Sequence, residues 1–249
     1  VLSYPFLYRI PFKQEIVSAL RECLGPDLAY FSDFQLQYNV FGSISGPGWH
    51  KDSDSENQKN YLTEPDYKFA KCGLFFQENK YSWGGGIDVL PGDHQSYNKK
   101  LGYFRKIVNP LKSKVKMRIS FLTIKTKPGD FVFFDSRLYH RSSKIAKKNI
   151  GNINEKENNY LEGIPEEHTK YVLYWNACNN KMVDDFLINS RIRTTEEGHG
   201  TELFFTDYIK NKFPEDYPDE YVNLTLKNKL SIASLDKFHT DLYKTLFNK

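Results

Sequence analysis

Cysteine is scarce in this chain: three among 249 residues, Cys23, Cys72 and Cys178. None sits in a CxxC pair, so neither a structural zinc site nor a disulfide framework is expected. A reducing cytoplasm is the simplest setting for that pattern. Long hydrophobic runs are missing too. No stretch approaches the roughly 20 apolar residues of a membrane helix, so no membrane partner is expected. Val1-Leu2-Ser3-Tyr4-Pro5 has no basic segment leading into an apolar one, the mark of a secretory leader. The chain also lacks a charge of one dominant sign. Lys and Arg total 35 against 31 Asp and Glu, a net charge of +4 with the signs interleaved. The only dense basic run, Lys144-Ile145-Ala146-Lys147-Lys148, reads as a solvated loop. Nucleic-acid binders gather their positive charge on one face, so no nucleic-acid partner is expected. Internal repeats are absent as well.

Aromatic residues are plentiful, with 17 Tyr and 19 Phe. A chain of this size can bury a substantial core as one large domain. Pro11 to Leu24 reads as a helix, because Ile16, Val17, Leu20 and Leu24 recur at helical spacing before Gly25-Pro26. The period then changes. Phe34 to Phe41 alternates apolar and polar residues, as a half-buried strand does. Further strands are expected at Lys71–Gln77, Gly86–Leu90, Met117–Lys125, Asp130–Asp135 and Tyr171–Trp175. Short strands between Gly, Pro and Asp turns, without regular βαβ alternation, point to a sandwich or barrel. Two long polar stretches, Ser53–Asp66 and Ser142–Glu167, read as lids or surface decoration. The tail from Thr201 onwards, with a helix at Ser234–Leu246, is expected to pack outside the barrel.

Two of the six histidines stand in distinctive settings. In Trp49-His50-Lys51-Asp52, extended backbone puts His50 and Asp52 on one side. In the block from Gly129-Asp130 to His140, a turn feeds a buried strand that ends at His140. Two imidazoles and one carboxylate make the facial triad of non-haem iron(II) oxygenases, which leaves the opposite face of the metal open. Each residue alone is more often an ordinary loop or core residue.

The order and context of the blocks carry a resemblance. Trp49-His50-Lys51-Asp52, then Gly84-Gly85-Gly86-Ile87-Asp88-Val89-Leu90-Pro91-Gly92-Asp93-His94, then Gly129 to His140 resemble the phytanoyl-CoA dioxygenase-like Fe(II)/2-oxoglutarate oxygenases. Asp93 stands where that family has Ser. The likeness covers roughly Gln35 to Asn176. It implies a mainly β fold with flanking helices, a double-stranded β-helix or cupin-like jelly roll. Residues 1–249 would form a single oxygenase domain, its core at about 34–180, with the N-terminal helix and the C-terminal helical tail outside. It implies Fe(II) held by His50, Asp52 and His140, 2-oxoglutarate as co-substrate, and a small-molecule substrate oxidised by dioxygen. His94 matches a structural His and stays outside the triad. A carboxylate retained at Asp52 implies hydroxylation rather than halogenation.

The same resemblance implies an Arg on the strand after His140, to grip the far carboxylate of 2-oxoglutarate with its planar fork. No Arg lies there. Lys170 is the first candidate, and His168 shares its strand parity. Lys71 is the second and Arg141 the third, with Thr123 and Gln37 as further pocket partners. Trp49, Trp83 and Tyr139 are candidates for a substrate wall. The missing Arg leaves two alternatives open: a binding jelly roll without catalysis, and a Zn or Mn hydrolase or isomerase on the same scaffold.

Overall fold

The computed structural model describes residues 4–30, 34–38, 48–52, 68–80, 82–94, 121–151, 154–155, 161–179 and 218–232. Before the strands, Pro5–Tyr8 (α1) and a 3-10 turn at Ile10–Phe12 lead into α2, Gln14–Leu24. The helix starts later than Pro11 because Lys13 has extended backbone. Its apolar stripe is the expected one, since Ile16, Val17, Leu20 and Leu24 are all buried. Gly25 stops it with a φ of 107°, a value glycine adopts without strain.

The strands are β1 Leu28–Tyr30, β2 Gln35–Tyr38, β3 Phe69–Phe75, β4 Ile87–Val89, β5 Leu122–Ile124, β6 Phe131–Asp135, β7 His140–Ser142, β8 Asn154–Glu155, β9 Leu161–Glu162, β10 Tyr171–Asn179 and β11 Ser231–Ile232. In the larger sheet β10 is central. It pairs antiparallel with β3 on one edge and with β2 and then β1 on the other; β6 lies beyond β3, and β11 runs parallel to β1. The smaller sheet has the order β5-β4-β7, and an antiparallel bridge between His50 and His140 extends it on the β7 side. Setting β1 and β11 aside, the chain alternates between sheets as β2, the His50 segment, β3, β4 and β5, β6, β7, β10. This is a mainly β jelly roll, as expected.

Two cores follow from strand parity. Ala70, Cys72 and Leu74 of β3 and Leu173, Trp175 and Ala177 of β10 face outwards, under α2, Tyr8, Phe12 and Tyr221. Phe75, Val172 and Tyr174 face inwards and meet Ile87 and Val89 of the smaller sheet, with Ile124, Val132, Phe134 and Leu138 against them. The inner face is where the site lies.

Several expectations need correction. β2 is not half-buried: Leu36 and Tyr38 are exposed, because the strand borders only β10. The strand before His140 does not end there and is only part-buried. β6 stops at Asp135, whose carboxylate accepts from the Arg137 backbone and guanidinium in a turn, and His140 opens β7 in the other sheet. The stretch after Ser142 is not all loop, since it holds a helical turn at Lys147–Ile150 and the β8–β9 pair. A helix at Asp219–Lys227 had no counterpart in the sequence reading. The ends of two expected strands (39–41 and 117–120), the Ser53–Asp66 stretch and the Ser234–Leu246 helix lie outside the described residues. Among the described residues no helix is long and apolar enough to cross a membrane.

Candidate metal centre

Adjacent strand ends bring the two histidines together. His50 and His140 exchange backbone hydrogen bonds of 3.0 Å in both directions. Direct partners on one sheet face put side chains within contact, and their ring centroids lie 4.4 Å apart. Asp52 sits in the turn just after His50, and its Oδ1 is 3.8 Å from His50 Nε2 and 3.5 Å from His140 Nε2. One ligand atom from each of the three lies within 4.8 Å of the others.

The imidazoles are oriented from behind. His50 Nδ1 lies 2.9 Å from the Gly48 carbonyl and His140 Nδ1 lies 3.0 Å from the Leu138 carbonyl. A carbonyl only accepts, so each Nδ1 carries a proton and Nε2 is the nitrogen left to ligate. That is the usual arrangement behind a metal-binding histidine. Burial lowers the His140 pKa against the opposing pull of Asp52, with the His50 and Lys71 charges adding to the lowering. A neutral imidazole is the ligating form.

Asp52 provides the test of fit. Its Oδ2 is buried and has no hydrogen-bond partner among the described residues. A buried carboxylate oxygen left so is costly, and a cation bound at this carboxylate would offset that cost. The donor set, one hard carboxylate and two imidazoles, suits a first-row divalent metal with open positions. His50 is the most exposed of the three, at 45% of its side chain, so the group opens to solvent on that side.

The wall beside the triad comes from the larger sheet. The Phe134 ring lies 4.7 Å from the His140 ring. Lys71 is the cross-strand partner of both Phe134 and Asn176. Its ammonium sits 5.7 Å from the centre of the Tyr174 ring, and Lys170 Nζ sits 5.6 Å from the same ring. Tyr174 is thus shared by two lysines, while Asp52 and burial both raise its pKa, burial more. Gly73 makes this possible: a Cβ there would lie 2.8 Å from the Tyr174 ring. Tyr174, Phe134 and Asn176 were not singled out from sequence. The signal was there for Tyr174, four residues beyond Lys170 on one strand.

The other candidates go elsewhere. His168 lies in a 3-10 turn before β10, where it stacks on Trp83 at 6.0 Å. Arg141 donates to Asp88, which also accepts from Thr123 and Ser143. Because Ile87 and Val89 face inwards, this network lies on the outer face of the smaller sheet, so neither Arg141 nor Thr123 reaches the triad. Gln37 is the β10 partner of Val172 and shares its inner face. Trp49 packs on Arg141 and Phe121, and Tyr139 lies under Lys51. Trp49 and Tyr139, one residue from His50 and His140, thus turn away from the triad, and Trp83 packs with His168 and Ile145. His94 is not part of the converging group.

A family model described as Phytanoyl-CoA dioxygenase (PhyH) matches residues 4–146. Similar solved structures include EctD from S. alaskensis with 2-oxoglutarate and 5-hydroxyectoine, at 16% identity and a TM-score of 0.45, covering 71% of this chain and 53% of that one. AviO1 from Streptomyces viridochromogenes Tue57 is 14% identical with a TM-score of 0.41, covering 68% of this chain and 58% of that one. The non-heme alpha ketoglutarate dependent epimerase SnoN from nogalamycin biosynthesis is 11% identical with a TM-score of 0.43, covering 72% and 58%. The chain therefore spans less than two thirds of the length of each of these proteins. No curated protein matches it.

Proposed function

Because this chain belongs to the phytanoyl-CoA dioxygenase family, we propose that it is an Fe(II)- and 2-oxoglutarate-dependent dioxygenase that hydroxylates a small molecule. The observation that carries the reading is the convergence of His50, Asp52 and His140, with both imidazole Nε2 atoms turned to a carboxylate whose second oxygen has no partner among the described residues. Bound iron would supply the activation of dioxygen, with 2-oxoglutarate as the source of two electrons.

The residues of this chain do the rest. His50 and His140 donate Nε2, and Asp52 gives a hard anionic ligand that lowers the net charge of the site. The carbonyls of Gly48 and Leu138 hold the two rings in the ligating tautomer. Phe134 shields one side of His140 from water. Lys170 is the proposed anchor for the far carboxylate of 2-oxoglutarate. It is 2% exposed, lies just before β10 and shares the inner-face parity of Val172 and Tyr174. An ammonium so enclosed gains more from an anionic partner than an exposed one does. Small-molecule substrate and dioxygen would enter on the His50 side, which is the more exposed.

Anaerobic titration with Fe(II) and then 2-oxoglutarate tests the proposal. The expected result is the weak visible band of the chelate in the parent and its loss in His140→Ala. Parent protein that gives no band, with His140→Ala binding iron equally well, would refute it.

A further inference from the structure

Among the described residues the inner face carries two lysines, and a single far carboxylate occupies only one. The ammonium groups of Lys71 and Lys170 lie 5.7 and 5.6 Å from the centre of the Tyr174 ring, Lys71 from the position opposite Asn176 and Lys170 from four residues before Tyr174. Their surroundings differ. Lys170 is buried at the start of β10. Lys71 is part-buried and pairs across the sheet with Asn176, six residues further along that strand, and with Phe134, whose ring touches His140. It therefore stands at the metal end of the face. Among the described residues no carboxylate forms an ion pair with it. A part-buried ammonium beside a ring is weakly compensated, because a cation–π contact at this distance replaces little of its hydration.

We propose that Lys71 receives an anionic group, carboxylate or phosphate, on the substrate, so that the enzyme acts on an acid. This rests on the reading above, in which Lys170 holds 2-oxoglutarate. The more enclosed cation suits the co-substrate, which fills the interior, and the part-buried one suits a molecule arriving from the mouth. Phe134, a strand neighbour of Lys71, gives that molecule an apolar surface beside the charge.

The test uses protein loaded with Zn(II) and 2-oxoglutarate, so that turnover plays no part. Saturation-transfer NMR would compare benzoate with benzamide, phenylacetate with phenylacetamide, and phenyl phosphate with phenol. At least one anion should bind about tenfold tighter than its neutral partner, the size of effect a charged hydrogen bond supplies. Lys71→Gln should abolish that preference and leave 2-oxoglutarate affinity within about threefold. A stronger response from phenyl phosphate than from the carboxylates would assign the anion as phosphate. The proposal is overturned if no anion is preferred, or if the preference survives Lys71→Gln. It is also overturned if Lys71→Gln loses 2-oxoglutarate while Lys170→Gln keeps it, for Lys71 is then the co-substrate anchor. Failure of the underlying reading looks different: the parent itself would bind no 2-oxoglutarate.

Discussion

At the scale of single residues, Lys170 separates stability from binding. Burial moves its pKa from 10.5 down to about 8. Below pH 8 both folded and unfolded chains hold the proton, and the folded chain keeps a buried charge at a cost. Between 8 and 10.5 the unfolded chain binds the extra proton, so stability rises with pH. At about 1.4 kcal/mol per unit the gain is about 3 kcal/mol by pH 10.5. Lys170→Met should remove that rise, as read from urea midpoints of the metal-free protein across the window. Affinity for 2-oxoglutarate should move the opposite way, falling as pH passes through about 8, because the proposed anchor needs its charge. A Lys51→Met, Asp93→Ser pair makes a second test at this scale. Lys51 Nζ and Asp93 Oδ2 form a buried ion pair of 2.7 Å. The departure at Asp93 thus has its complement inside the metal motif, on the side of the backbone away from His50 and Asp52. Asp93→Ser alone removes the anionic partner of a buried ammonium and should cost about 3–5 kcal/mol. The double variant should recover most of it, measured by denaturant unfolding.

Elements hold the ligands in register. β4 lies between β5 and β7, and the glycine run before it lets the three approach. A Cβ on Gly84, at a φ of 73°, would lie 2.7 Å from the Ser143 carbonyl oxygen; one on Gly86 would lie 2.8 Å from that of Ile124. Both obstacles are backbone and cannot swing aside. Gly84→Ala should therefore destabilise the protein by at least about 1 kcal/mol and weaken Co(II) binding several-fold, because β7 carries His140. A visible-absorption titration reads the second effect. The same elements explain what sequence could convey. Gly84 to Asp93 and the His50/Asp52 spacing were legible because they are short local patterns whose order along the chain singles out what neither does alone. The break between β6 and β7 was not, since the turn at Ser136–Leu138 has neither Gly nor Pro and rests on the Asp135–Arg137 ion pair. Arg141 does point away from the triad, as the inward direction of His140 implies, but its partner and that of Thr123 were not legible for another reason. Their partner, Asp88, is 53 residues from Arg141 and 35 from Thr123, and no local pattern announces contacts at that range. Tyr174 joins Lys71 to Lys170 only once β3 and β10 are paired.

The whole molecule divides its cores by task. The larger sheet faces α2 on one side and the smaller sheet on the other, so its outer face carries stability and its inner face carries the site as well. Leu20 of α2 is fully buried in the outer core. Leu20→Ala should cost about 2–5 kcal/mol through lost contacts and a cavity. Its effect on the metal should be small, because β3 and β10 stand between the cavity and the triad and remain paired along most of their length. Phe134→Ala removes a comparable apolar side chain from the inner core. It also removes the ring 4.7 Å from His140, so water reaches the imidazole and the restraint on its orientation weakens. Stability should fall in both variants. Co(II) affinity should stay within about twofold for Leu20→Ala and drop by about tenfold or more for Phe134→Ala, the range seen when support around a ligand is lost. Denaturant unfolding and metal titration on the same preparations decide the matter. Equal loss of metal affinity in the two variants would mean that the triad depends on global packing rather than on the inner face.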